Sequence, residues 1–170
     1  PYPASHNAHN LRKFHARGEA CPVAFWIGHH PAVLLGTQAK LKYPESHWEA
    51  AGGVLGAPLR LVPSVLHGDR IMVPADAEIV IEGYLDERGY CEPEGPYGEY
   101  MGYYGSIHMD PVFTCTAITM RSDVMHMTLQ HGSAFVLDQT DAACMTELRV
   151  EATAMRILKT VCQEPIAVSS

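Results

Sequence analysis

Ala77-Glu78-Ile79-Val80-Ile81-Glu82-Gly83-Tyr84 decides the fold class, because apolar and polar residues alternate along part of it, as in a sheet strand with one wetter face. Pro74-Ala75-Asp76 reads as the turn leading into this strand, and two β-rich runs precede it, Leu59-Arg60-Leu61-Val62 and Ile71-Met72-Val73. Downstream, Val112-Phe113-Thr114-Cys115-Thr116-Ala117-Ile118-Thr119-Met120 is the strongest strand signal, with β-branched residues in series. A shorter run over 124–129 is expected to pair with it across Arg121-Ser122-Asp123.

Helical patterns flank this β-rich middle. Residues 8–17 carry Leu11 and Phe14 among polar side chains, with Ser5 and Asn7 as candidate caps and Gly18 as a stop. Residues 22–27 form a continuous apolar run ending in Gly28, the pattern of a buried strand. His29-His30-Pro31 then opens a short helix, with Pro31 suited to its first position. Adjacent side chains do not share a helix face, so these two histidines read as capping or packing residues rather than ligands of one metal. Residues 44–55 read as another short helix giving way to a turn at Gly52-Gly53. Over 141–162 the period changes again: Ala143, Leu148, Ala152, Met155, Leu158 and Val161 recur near helical spacing, with Asp138 or Thr140 near the start. The order of helices, strands and one closing helix predicts an α+β domain around an antiparallel sheet or small barrel.

With 47% hydrophobic residues, 170 residues can bury a core, as one domain or as a piece of a larger one. The formal charge of -7 and the lack of any Lys/Arg run exclude nonspecific nucleic-acid binding, which needs a basic face. Cys21, Cys91, Cys115, Cys144 and Cys162 are odd in number and spread out, with no Cys-x-x-Cys pair, which fits packed thiols in a reducing compartment. No apolar run approaches the ~20 residues of a membrane-spanning helix, so the expectation is a cytoplasmic protein without a membrane partner. Ten histidines against twelve Lys plus Arg raise metal binding or pH-sensitive chemistry, to be decided by position. The chain opens at Pro1-Tyr2-Pro3 without Met and closes soon after the amphipathic helix, and is read as a piece of a longer one.

Chemistry concentrates in Glu94-Gly95-Pro96-Tyr97-Gly98-Glu99-Tyr100-Met101-Gly102-Tyr103-Tyr104. Its glycines and Pro96 rule out a regular helix and interrupt any strand, which leaves a shaped loop. Fully extended, Glu94 and Glu99 would stand roughly 16 Å apart at ~3.3 Å per residue. A Pro-x-Gly bend can turn both toward one pocket. Two acids held together beside tyrosines can divide roles, one ionised and one holding a proton, which is a proton-transfer arrangement. The same residues also fit a solvated acidic turn, and pattern alone leaves both readings open.

Val73-Pro74-Ala75-Asp76-Ala77-Glu78-Ile79-Val80-Ile81-Glu82-Gly83, then Glu94-Gly95-Pro96-Tyr97-Gly98-Glu99, Gly102-Tyr103-Tyr104 and Ile118-Thr119-Met120-Arg121 together resemble the UbiD family of decarboxylases, which depend on prenylated flavin mononucleotide (prenylated FMN). Weaker similarity through Ala51-Gly52-Gly53-Val54-Leu55-Gly56 and Gly28-His29-His30-Pro31-Ala32 extends it over nearly the whole chain. The resemblance implies reversible, non-oxidative decarboxylation of an aromatic, heteroaromatic or α,β-unsaturated carboxylic acid, with the modified flavin as electron sink. It implies that residues 1–170 are the central cofactor-binding domain, a split β-barrel of the flavin-reductase-like kind with flanking helices. An Arg-Glu-Glu network surrounds the chemistry in the family. By resemblance Glu99 is the proton donor, and Glu94 pairs with the Arg and tunes the network, in keeping with acid/base logic.

The departures bear on the site. The family Arg, and an Asn that ligates metal, stand upstream of the part matching residues 1–17, and Arg121 belongs to a separate motif. The family binds a divalent metal, manganese or magnesium, with a monovalent ion such as potassium nearby, against the cofactor phosphate through Asn, His and Glu. His6 matches the His, as a cofactor-binding and metal residue. The Glu position falls on His47, with Glu49 two residues on, and imidazole suits manganese beside phosphate less well than carboxylate. The family's N-terminal region and C-terminal dimerising domain are not matched, so the chain alone is expected to bind the cofactor weakly. Its parent is expected to be a homo-oligomer or multisubunit enzyme acting on a small carboxylic acid. A second reading is a noncatalytic flavin-binding domain or a subunit of a multichain carboxylase, against which stands the retention of both Glu94 and Glu99. A His-dependent metallohydrolase is weaker still, since no His-x-His or His-Glu-x-x-His spacing occurs.

Overall fold

The computed structural model describes residues 5–98, 102–128, 140–162, 164 and 167. The chain divides into two compact units, one of residues 1–95 with 107–127 and the other of residues 96–106 with 128–170. The first unit begins with α1 (His6–His15), whose first turn is capped by Ser5, its Oγ accepting from the Ala8 amide at 3.2 Å. After β1 (Cys21–Ile27), His30 caps α2 (Pro31–Thr37), its Nδ1 accepting from the Ala32 amide at 3.2 Å, with Pro31 in the first turn as expected.

Helix α3 (His47–Leu55) packs on α2 because Gly36 has no side chain: a Cβ there would lie 2.4 Å from Ala51 Cα. Val33 and Ala51 are accordingly buried completely. The turn expected at Gly52-Gly53 falls further along the chain, because Gly56, at φ 77°, supplies the left-handed cap and leaves the glycine pair inside the helix.

The strands β2 (Leu61–Ser64), β3 (Gly68–Pro74), β4 (Ile79–Leu85), β5 (Glu92–Glu94), β6 (His108–Asp110) and β7 (Phe113–Met120) complete this unit. They form a three-stranded antiparallel sheet in the order β1-β4-β7 and two two-stranded ribbons, β2-β3 and β5-β6. Mixed helix and antiparallel sheet is as expected. The split barrel is not seen, since among the described residues the three sheets are separate and none closes. The core sits where β3 covers the sheet: Val73, Ala77 and Val80 are buried, with Ala24, Trp26 and Ile71 packed against them.

The wetter face expected of β4 is the inner one. Glu82 is 0% exposed and Glu78, just before the strand, 8%, whereas Phe25 and Ile118, which flank Ile81 in register, are 47% and 56% exposed. The inversion is tolerated because the β2-β3 turn brings polar groups down onto Glu82. Residues 124–128 form no strand. Their backbone is held instead by a carboxylate, the Met125 amide donating to Glu78 Oε2 at 2.9 Å, and Leu129 lies outside the described residues.

The second unit contains α4 (Asp141–Val161), which starts where expected, with Thr140 Oγ1 accepting from the Ala143 amide at 3.2 Å. Ala143 is buried, but Leu148, Ile157 and Val161 are exposed, so the apolar stripe is not core along its length. All five cysteines are free. Cys21 is buried, and burial pushes its thiol pKa up, while Cys115, Cys144 and Cys162 are exposed rather than packed. No described helix is long and apolar enough to cross a membrane.

Candidate functional site

Glu94 ends β5 as an exposed residue, with His108 of β6 opposite it in register. Gly95, at φ 94°, turns the chain out of the ribbon. Glu99 lies outside the described residues. In the second unit, Gly98 bridges to Tyr104 and the Gly105 amide donates to the Tyr97 carbonyl at 3.0 Å, so the described part of the loop forms a narrow reversal. Gly102 adopts φ 86° within it, and Tyr103 and Tyr104 are 74% and 80% exposed.

The other expected pair does meet. The His6 and His47 rings, each on the first residue of its helix, stand 4.8 Å apart between centroids at 72°. His6 also lies edge-on to Tyr43 at 5.5 Å, and His9 one turn along α1 lies 4.1 Å from the same ring. Lys13 Nζ donates to Tyr43 Oη at 2.7 Å and sits 5.1 Å from the ring centroid. Sequence spacing explains this: His6, His9 and Lys13 are separated by three and four residues and share one face of α1. His6 Nε2 is buried and has no hydrogen-bond partner among the described residues. His47 Nε2 lies 3.3 Å from the Ala39 carbonyl, which only accepts, so this nitrogen carries the hydrogen. Among the described residues no three His, Cys, Asp or Glu side chains converge as a metal site.

Two polar networks were not legible in the sequence. Glu82 Oε2 accepts from the Leu66 amide at 3.3 Å, while Oε1 is buried without a partner. His67, 5% exposed, places Nε2 3.2 Å from the Val23 carbonyl and 3.1 Å from the Gly83 carbonyl. The second network gathers around Glu78, with Arg121 Nη1 3.8 Å from its Oε1 and Arg121 also paired to Asp123 at 3.0 Å. That guanidinium holds Asp123 below the usual carboxylate range, and Arg60 does the same for Asp76. Burial lowers the pKa of His29 against the opposing pull of Asp76 and Glu78. The available signal was Glu78 and Glu82 at even spacing, which puts both on one face of an otherwise apolar strand.

Over residues 2–134 the sequence matches the family described as the 3-octaprenyl-4-hydroxybenzoate carboxy-lyase Rift-related domain, UbiD. The chain belongs to the UbiD family. It is similar to an evolved dimeric form of the UbiD-class enzyme HmfF from Pelotomaculum thermopropionicum, solved in complex with prFMN, at 33% identity and TM-score 0.78 over 91% of this chain and 34% of that one. HmfF solved in complex with FMN matches at 40% identity and TM-score 0.66, over 72% of this chain and 27% of that one. Vanillic acid decarboxylase of Sedimentibacter hydroxybenzoicus, in its closed form, matches at 27% identity and TM-score 0.82, covering 98% and 34%. The chain thus spans about a third, or less, of the length of these UbiD relatives.

Proposed function

We propose that this chain is the central cofactor-binding domain of a UbiD-family carboxy-lyase that reversibly decarboxylates an aromatic, heteroaromatic or α,β-unsaturated carboxylic acid in the cytoplasm. The observation that carries the reading is the match along 91% of the chain, at 33% identity, to an enzyme solved in complex with prFMN. In this reading the three small sheets belong to a split β-barrel, which the packing of β3 over β1 and β4 supports, and the parent is a homo-oligomer or multisubunit assembly.

When bound, prenylated FMN supplies the electron sink for departure of carbon dioxide. This chain's part is binding and proton management. His6 fits the cofactor, because its buried Nε2 has no partner among the described residues. A hard divalent ion fits less well: His6 and His47 offer imidazole only, one ring nitrogen is tied to Ala39, and no third ligand converges among the described residues. Manganese, magnesium and potassium at these residues therefore carry no step here. By resemblance to the family, Glu99 is the proton donor to the carbon that carbon dioxide leaves, and Glu94 pairs with the family Arg and tunes the network. Glu94 is exposed within this chain, so the water-poor surroundings that proton delivery requires come from the bound substrate or from the rest of the parent protein.

The test is to reconstitute the protein as expressed in the cell with prenylated FMN and assay carbon dioxide release from a panel of aryl and acrylic acids, alongside a Glu99→Gln variant. Release by the wild type, lost in the variant with folding intact, is expected. An intact, cofactor-loaded protein that decarboxylates none of the panel would refute the assignment.

A further inference from the structure

We propose that the cluster around Tyr43 binds a phosphate group directly, without a bridging divalent metal. The inference rests on the flavin reading above and names how the phosphate end of that cofactor is held. Three basic side chains converge on Tyr43: His6 edge-on to its ring, His9 4.1 Å from it, and Lys13 Nζ 2.7 Å from its hydroxyl. An ammonium has three hydrogens and Lys13 spends one on Tyr43, so two remain for an anion. His6 Nε2 is a buried ring nitrogen that finds no hydrogen-bond partner among the described residues. His47, whose ring centroid is 4.8 Å from that of His6, is held by the Ala39 carbonyl.

The background sharpens the case. In a chain of net charge -7, His6 and His47 stand at the starts of α1 and α3, where negative charge is favoured, and Lys13 lies in the last turn of α1. The acids nearby do not convert the site to a cation site. Glu45 Oε2 accepts from the Lys42 amide at 2.8 Å, and Glu49 lies in the first turn of α3, where it balances that helix start. Among the described residues a divalent cation would find two imidazoles, His6 and His47, and would face the Lys13 ammonium beside Tyr43, a set that suits a phosphate better than a cation.

The experiment is a fluorescence titration of the protein as expressed, stripped of metal with EDTA, with FMN and with riboflavin, which lacks the phosphate. Each titration is repeated with added manganese. Metal-free FMN is expected to bind within about twofold of its affinity in manganese and at least about tenfold tighter than riboflavin, the scale of one charge-assisted hydrogen bond. Lys13→Gln, at an exposed position, and His6→Gln are each expected to weaken FMN about tenfold and leave riboflavin unchanged. Should His6→Gln fail to fold, inorganic phosphate competing with FMN on the wild type reads the same contact. FMN binding that appears only with manganese, or FMN and riboflavin binding equally, overturns direct phosphate recognition and leaves the flavin reading intact. No binding of either flavin under any condition overturns both.

Discussion

Gly83→Ala tests the geometry of the central strand most directly. Gly83 sits at the irregularity between β4 and β7, where Glu82 pairs with Ala117 but Gly83 pairs with Cys115. A Cβ at Gly83 would lie 1.9 Å from the Thr114 carbonyl oxygen and 2.9 Å from Phe113 Cε2. Comfortable contact needs about 3.5 Å, so the two strands would have to separate by more than 1 Å. β7 is an edge strand and can retreat, but only by giving up the pairings at Gly83 and Tyr84 and drawing the Gly83 carbonyl away from His67. Overpacking costs about 1–3 kcal/mol, and a clash with backbone belongs at the upper end. At about 2–4 °C per kcal/mol for a chain of this size, the melting temperature should fall by about 6–12 °C. Gly53→Ala is the internal control. It lies inside α3 with nothing within 4 Å of its built Cβ, and should gain about 0.5–1 kcal/mol from helix propensity. Thermal melts followed by circular dichroism separate the two, and a Gly83→Ala protein that melts within about 2 °C of wild type would refute the close approach.

Glu82→Gln keeps an oxygen for the Leu66 amide and removes a buried charge, so its urea stability should stay within about 1 kcal/mol of wild type, whereas Glu82→Ala should lose about 2–4 kcal/mol through an unpaired amide and a cavity. Equal losses in the two variants would remove the amide contact as the cause. His29 is held below its ordinary pKa by burial, so between that lowered value and the unfolded value near ~6.5 the unfolded chain binds the extra proton. Its contribution is therefore present above that window and lost as pH falls through it; His29→Gln should flatten the fall in urea midpoint from pH 7.5 to 5.5, and parallel slopes would count against the burial effect. Glu94→Gln should cost most of the turnover of the reconstituted enzyme while leaving its melting temperature within about 1 °C, because Glu94 is exposed in this chain; near-normal turnover would remove it from the proton network.

Local signals read well where local chemistry decides the outcome. Ser5, His30, Pro31 and Thr140 start their helices through single side-chain or ring effects that reach no farther than three residues, and each does so in the structure. β4 and β7 follow their β-branched runs for the same reason, whereas β5 and β6 contain no β-branched residue and the run over 124–128 forms no strand. What the sequence could not carry is which face of β4 is wet. Alternation gives a period and not a direction, and the direction is set by the β2-β3 turn, whose Leu66 amide reaches Glu82 from sixteen residues away. The glycine turn was misplaced by the same limit: Gly52, Gly53 and Gly56 are equal candidates to cap α3 until Ala51 is packed against Gly36 and the helix must run on to Gly56.

The candidate site divides along the same line. His6 and His47 came from resemblance, and no rule of spacing joins two residues on separate helices; they meet because α1 and α3 both begin beside Tyr43, which touches His6, His9 and Lys13 together. Tyr43 carried no signal of its own, since a tyrosine before a proline reads as loop. Yet it decides what the histidines can do. With Lys13 drawn onto its hydroxyl, an ammonium joins the imidazoles around Tyr43, and in the phosphate proposal His6 Nε2, unpartnered among the described residues, takes an anion rather than a metal ion. A substitution at Tyr43 that released Lys13 would shift that balance toward metal, so Tyr43→Leu should raise the manganese dependence of FMN binding where Lys13→Gln alone lowers its strength. Manganese dependence that stays unchanged in Tyr43→Leu would show that the phenol does not set the charge of the site.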